Sequence, residues 1–130
     1  MPAHRLFFHL TWSTHDRRPM IDAATRDFLD EFLRRTTIRE GASVIELAFL
    51  RTHVHLLIRT PARFDFGRLS QMLKGGSSHA ANRLPGNTLG LRWNREYSVT
   101  TVSPRVLPQV IEYLRTQDER HPREGIQSES

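Results

Sequence analysis

The chain predicts an α+β domain in which helices pack on a four-stranded antiparallel sheet. Two patterns in its 130 residues carry that expectation. Four segments alternate apolar and polar residues with the two-residue period of a half-buried strand, and three others repeat apolar residues at the spacing of a helix face. They follow one another as β-α-β-β-α-β with one further helix. Composition adds a third observation. With 38% hydrophobic and 25% charged residues the chain is ordinary for a globular domain, and its length supplies one core rather than two.

Residues His4 to Thr14 read as the first strand, with Leu6, Phe8, Leu10 and Trp12 on one face and Phe7, His9 and Thr11 on the other. The polar HDRRP, His15 to Pro19, stops it at a proline. Asp22 is a good N-cap for a helix to about Glu40, with Phe28, Leu29, Phe32 and Leu33 as its apolar face and Gly41 as its stop. Ser43 to Arg51 and His53 to Arg59 form the second and third strands, close enough for a tight hairpin. A loop from Thr60 to Phe66, opened by Pro61, leads into a helix from Gly67 to about Arg83. Leu69, Met72 and Leu73 give that helix a stripe, while Gly75 and Gly76 weaken its middle. LPGNTLG is a loop, and Arg92 to Thr101 is the fourth strand. Ser103 caps the last helix, Pro104 falls near its first turn, and Val106, Val110, Ile111 and Leu114 form its stripe. The domain is expected to cover residues 1–118. Residues 119–130 are a polar tail, with Glu124 to Ser130 expected to be disordered.

This order is the split βαβ of ferredoxin-like folds, a four-stranded antiparallel sheet with two helices on one face. The other face stays open, and on the same scaffold RNA-recognition domains use it to bind single strands. On the third strand Val54, Leu56 and Ile58 turn toward the helices. His53 and His55 then lie on the open face, where the extra C-terminal helix can reach them.

No apolar run approaches the roughly 18–20 residues of a membrane span. The amino terminus lacks the pattern of a secretory signal. With no cysteine, disulfides and thiolate zinc sites are excluded, and a cytoplasmic location is expected. The net charge of +5 is unevenly placed. Arg59, Arg63, Arg68, Lys74, Arg83, Arg92 and Arg95 fall in one segment that contains a single acid, Asp65, while the rest of the chain is close to neutral. A basic segment in a balanced chain points to a polyanion, and these residues are its candidate contacts. Lys74 is the only lysine. Arginine suits bidentate phosphate contacts, although the coding bias of a GC-rich genome explains the skew equally well.

The chemistry concentrates in two short patterns. His53-Val54-His55 places two imidazoles on one face of a strand, and Tyr113 and Gln117 lie one helical turn apart in VIEYLRTQ. If strand and helix meet, two imidazoles and a carboxamide oxygen surround a metal-sized space beside a phenol. Each part alone has an ordinary explanation, since histidines on a half-exposed sheet face are common and a tyrosine beside an apolar stripe is usually a packing residue.

The joint pattern resembles the single-tyrosine HUH endonucleases that serve as insertion-sequence transposases, including REP-associated tyrosine transposases. The resemblance runs from about Phe8 to Gln117. HLTWSTHDRRPMI is similar to the family's first strand and basic turn, THVHLLIRTP to its His-hydrophobic-His strand, and LKGGSSHAANR to its second helix. WNREYSVTTVS resembles the fourth strand and VIEYLRTQ the terminal helix. Two departures are visible: Thr52 stands where an acid or asparagine often precedes the first histidine, and LKGGSSHAANR is less basic than usual.

The resemblance implies that His53, His55 and Gln117 bind a divalent metal, Mg or Mn, and that Tyr113 attacks DNA. The partner it implies is single-stranded DNA, at hairpin ends of a mobile element. The enzyme it implies works as a homodimer whose tyrosine helix crosses to the other subunit. A phenol with a pKa near about 10 is a poor nucleophile at neutral pH, so help from a cation is chemically reasonable. The products would be a 5′-phosphotyrosine bond and a free 3′-hydroxyl. Tyr97, in the expected fourth strand, is read as structural. Two other classes remain. One is a non-catalytic or domesticated single-stranded nucleic-acid binder on the same fold, with Phe7 and Trp93 as stacking residues. The other is a small metal-dependent hydrolase with no nucleic-acid partner.

Overall fold

Alternation along each strand decides which side of the sheet a residue faces, and that choice places both the core and the polar face. The computed structural model describes residues 5–84, 90–117 and 125–126. The order is β1 (Arg5–Ser13), a 3-10 turn (His15–Arg17), α1 (Ala23–Arg39), β2 (Ser43–Phe49), β3 (His53–Pro61), α2 (Phe66–Ala81), β4 (Ser98–Val102) and α3 (Leu107–Arg115). The sheet runs β2-β3-β1-β4 with every neighbouring pair antiparallel, the expected ferredoxin-like arrangement. Most of LPGNTLG and most of the tail beyond residue 117 lie outside the described residues.

Two aspartates start the long helices in the same way. Asp22 accepts a hydrogen bond from the Thr25 amide at 2.8 Å, and Asp65 accepts one from Arg68 at 2.9 Å. Gly41, with φ of +98°, ends α1 in a conformation that favours glycine. Leu29 and Leu33 of α1 and Leu69 and Leu73 of α2 pack against Val54, Leu56 and Ile58, all fully buried. Each such side chain contributes about 1.5–3 kcal/mol of apolar burial. Gly76 is more than a weak point in its helix. A Cβ there would stand 2.8 Å from the Phe32 ring, so the missing side chain lets α2 approach α1 closely.

The second face is partly covered by α3. Leu107, Val110, Ile111 and Leu114 cluster with Phe7, Ile45, Ala48, Leu57 and Val102. A bulge in β2 between Val44 and Glu46, absent from the sequence expectation, sets up this contact. It turns Ile45 into the α3 cluster and leaves Glu46 to accept from Arg115 Nε at 2.7 Å.

Four expectations need correction. The fourth strand begins at Ser98 rather than Arg92, because residues 92–97 leave the ladder except for a single bridge between Trp93 and Thr14. The last helix begins at Leu107 rather than after Ser103. Ser103 to Val106 form a turn, Val106 N donating to Ser103 O at 3.1 Å, and Pro108 takes the first-turn position. Val106 is therefore exposed and Leu107 replaces it on the stripe. Ile126, one of the two described residues within the stretch expected to be disordered, packs against the main core.

Candidate functional site

On the α3 side of the sheet, alternation brings His53 and His55 of β3 beside His9 and Thr11 of β1, since Thr11 pairs with His55 and His9 with Leu57. The His53 and His55 rings lie 4.9 Å apart, and the His9 and His55 rings stack at 5.0 Å. Each Nδ1 has a protein neighbour. Thr52 Oγ1 is 2.9 Å from His53 Nδ1, and His9 Nε2 is 2.8 Å from His55 Nδ1. Thr11 Oγ1 stands 3.4 Å from both members of the second pair. Burial pushes the His9 pKa below its ordinary value, which favours the neutral ring. His9 was not singled out as a sequence candidate. The signal was present, because alternation puts it on the face of Thr11 and the β1–β3 pairing then sets that face beside the two histidines.

A loop roofs the histidines. Between Thr11 and Thr14 β1 takes three steps, while the facing chain takes five, from Ser98 back to Trp93. The excess pushes Arg95, Glu96 and Tyr97 out over the sheet end. The loop is fastened through His15 N to Arg92 O at 2.8 Å, Asn94 N to Ser13 O at 2.9 Å and Asn94 Nδ2 to Ser13 Oγ at 2.7 Å. A cavity of about 660 Å³ results, lined by His53 and His55 together with Arg17, Asn94, Arg95 and Tyr97. Arg17 reaches it from a turn in which Asp16 and Arg17 both have φ of 53°. Two successive non-glycine residues in the left-handed region are strained by about 1–2 kcal/mol each. Tyr97, read as structural from the sequence, packs on the core and also lines this cavity.

Tyr113 and Gln117 come from the other side. Tyr113 is 39% exposed on α3, and Gln117 lies just past Thr116, the C-cap, with 2% exposure. The two therefore diverge, Gln117 continuing the buried stripe of Leu114 and Tyr113 standing at its edge. Gln117 shares a hollow with Glu46, Ala48 and Phe49. Ala48 is the direct partner of His55, so the hollow that holds the carboxamide borders the strand next to that histidine. Its buried Oε1 has no hydrogen-bond partner among the described residues. Neither Tyr113 nor Gln117 lines the cavity that holds His53 and His55.

The basic segment does not form one patch. Arg95 lines the histidine cavity, and Lys74 Nζ donates to Glu96 O at 3.2 Å beside a second hollow that Arg95 and Asn94 also border. Burial lowers the Lys74 pKa, with Glu96 pulling the other way. Arg59 follows His53 and His55 on the same face of β3 by alternation. Arg68 sits elsewhere, its Nε donating to Glu40 at 2.6 Å, and that hydrogen bond raises its pKa. Arg63, Arg83 and Arg92 are exposed, Arg83 lying 3.4 Å from His79. Of the two aromatic stacking candidates, Trp93 donates its indole N–H to Ser77 at 2.9 Å and Phe7 packs in the α3 cluster.

The family model described as transposase, IS200-like, matches residues 3–117. The chain belongs to the IS200-like transposase family. The ISDra2 transposase TnpA of Deinococcus radiodurans is 26% identical to it over 125 residues, covering 90% of this chain and 87% of that protein. A Deinococcus radiodurans crystal structure assigned as a transposase superposes with a TM-score of 0.68 at 25% identity, over 89% of this chain and 93% of that one. A REP-associated tyrosine transposase, solved bound to a REP hairpin, has the same fold at a TM-score of 0.72 and 13% identity, covering 93% and 72%. The IS200-like family makes this chain a DNA-processing enzyme, and the histidine-bearing face is where its polar chemistry gathers. Among the described residues no helix is long and apolar enough to cross a membrane.

Proposed function

We propose that this transposase is a metal-dependent single-stranded DNA endonuclease and strand transferase that cuts through Tyr113. The observation that carries the reading is the pair His53 and His55, both engaged at Nδ1, with the partnerless buried oxygen of Gln117 in the hollow beside Ala48 on the neighbouring strand. Among the described residues no three histidine, cysteine or carboxylate side chains converge to hold a metal. His9 Nε2 is committed to His55, so a third ligand has to be of another type, and an orphaned carboxamide oxygen fits. Two imidazoles and an amide oxygen suit Mn, and Mg with water completing its shell. When bound, such a cation neutralises charge on a scissile phosphate and fixes its orientation.

The residues of the chain supply the rest. Arg17 and Arg95, which both line the cavity, hold the phosphates that flank the cut. The Tyr113 oxygen bonds to phosphorus as the bond from phosphorus to the 3′ oxygen breaks. The phenolic proton leaves to water and the departing 3′ oxygen takes one up. A 5′-phosphotyrosine and a free 3′-hydroxyl result, and reversal rejoins DNA without any other energy source. The DNA is single-stranded, at hairpin ends of a mobile element, in keeping with the REP hairpin bound by the structural relative. Because Tyr113 lines no part of the histidine cavity in its own chain, the working unit is a homodimer in which α3 of one copy serves the other.

One observation favours a second reading: the tyrosine that lines the histidine cavity is Tyr97, and a binder that never cuts would tolerate that arrangement. Incubation with single-stranded hairpin DNA and manganese, followed by a denaturing gel, decides between them. A covalent protein–DNA band is expected, and a band shift under native conditions without any covalent species would overturn the enzymatic reading.

A further inference from the structure

The His9–His55 contact admits two proton arrangements. If His9 Nε2 carries the proton and donates, His55 is protonated on its outer Nε2 and cannot ligate through it. If His55 Nδ1 carries the proton and donates, His9 Nε2 accepts and His55 Nε2 presents a lone pair. The second is the one a metal-ligating His55 requires, since its Nδ1 meets His9 Nε2 at 2.8 Å and ligation then falls to Nε2. The neighbouring His53 likewise has a protein group at Nδ1, with Thr52 Oγ1 at 2.9 Å.

We propose that His9 is a positioning residue for the metal edge of His55, fixing its ring with Nδ1 protonated and Nε2 as the ligating atom. The inference rests on the reading of His53 and His55 as metal ligands. His9 is placed for this by the sheet alone. It stands on β1, one pair beyond Thr11, and reaches diagonally to His55 with its ring stacked at 25° to the other. A ligand whose second nitrogen is held by a protein group loses neither its tautomer nor its orientation when the cation leaves, and removal of such a partner typically weakens metal affinity about 10–100-fold.

The test uses the full chain and manganese, read by electron paramagnetic resonance of free Mn(II). His9→Phe keeps an aromatic ring on the stack but removes the acceptor, and His9→Gln restores an acceptor oxygen near the Nε2 position. His9→Phe is expected to bind Mn about 10–100-fold more weakly, and His9→Gln to remain within a few-fold of the parent. In the metal-free parent, long-range proton–nitrogen NMR should show the His55 proton on Nδ1. His53→Ala serves as the reference for the site itself. If His53→Ala weakens Mn binding while His9→Phe does not, the role of His9 is rejected and the metal site stands. If neither variant weakens it, the metal reading falls and the inference with it. A parent protein with the His55 proton on Nε2 overturns the inference even where His9→Phe does not fold.

Discussion

Asn94 and Ser13 are joined twice, backbone to backbone at 2.9 Å and side chain to side chain at 2.7 Å. The same carboxamide accepts from the Asp16 amide at 3.3 Å, so one residue ties the roof loop both to the end of β1 and to the strained turn that carries Arg17. The roof over the histidines is thus fastened by hydrogen bonds beside the apolar contacts of Trp93 and Tyr97. Asn94→Ala should cost about 1–2 kcal/mol, two side-chain hydrogen bonds at about 0.5–1.5 kcal/mol each with partial replacement by water. Urea denaturation measures the loss. DNA affinity should fall beside it, because the turn of Arg17 and the loop of Arg95 are no longer fastened together at the cavity they line, and unchanged affinity would show that the roof does not touch DNA.

The two tyrosines give a second prediction. Tyr113→Phe removes only a hydroxyl and should abolish the covalent DNA adduct while leaving hairpin binding within a few-fold of the parent. Tyr97→Phe should retain the adduct. The reverse result, an adduct lost only in Tyr97→Phe, would transfer the nucleophile to the residue that lines the histidine cavity.

Metal binding separates the ligands by strength. His53→Ala and His55→Ala should each weaken Mn affinity and cleavage, and Gln117→Ala should do so more mildly, since water replaces an amide oxygen more readily than an imidazole. Gln117→Ala also removes a buried oxygen that has no hydrogen-bond partner, so its stability should hold or rise. Calorimetric titration with manganese checks the order, and parental affinity in both histidine variants removes them from the site.

Salt dependence locates the DNA track. On single strands the logarithm of affinity falls with the logarithm of salt by about 0.7 per phosphate contact. Charge reversal at Arg95 or at Lys74, which both border the hollows beside the histidines, should lower the slope by about one contact each. Reversal at Arg68 should leave it unchanged, because that guanidinium is engaged with Glu40. Equal effects at Arg68 and Arg95 would mean that the basic segment acts as a diffuse field and not as a track.

What local pattern governs was legible in the sequence, and what long-range pairing governs was not. Alternation put His53 and His55 opposite Val54, Leu56 and Ile58, and the cap Asp22 follows from a side chain three residues ahead of the amide it meets. The β2 bulge at Ile45 and the early exit of the chain before Ser98 depend instead on how one strand counts against another. No single segment carries that information. The mixed fate of the basic residues has the same origin, since whether Arg68 meets DNA or Glu40 is decided 28 residues away.

The attachment of α3 makes the last prediction. Only Leu114 of its nine residues is buried, and one of its polar ties is the pair between Arg115 and Glu46. Arg115 is 65% exposed, and an ion pair of that kind is worth about 0–1 kcal/mol. That pair therefore adds little to the apolar contacts that hold the helix on its own sheet. Release of the helix would uncover the stripe of Leu107, Val110, Ile111 and Leu114, which the same cluster on a second copy is shaped to accept. Exchange of identical elements between copies keeps every contact and costs little. Mixing a Tyr113→Phe chain with a His53→Ala chain, each inactive alone, should regain adduct formation, because one composite site then has both a tyrosine and an intact histidine pair. Glu46→Ala in both chains should speed the recovery by loosening the docked helix. A mixture that stays inactive despite proven heterodimers would assign Tyr113 to the histidines of its own chain and make the cis packing of α3 the working state.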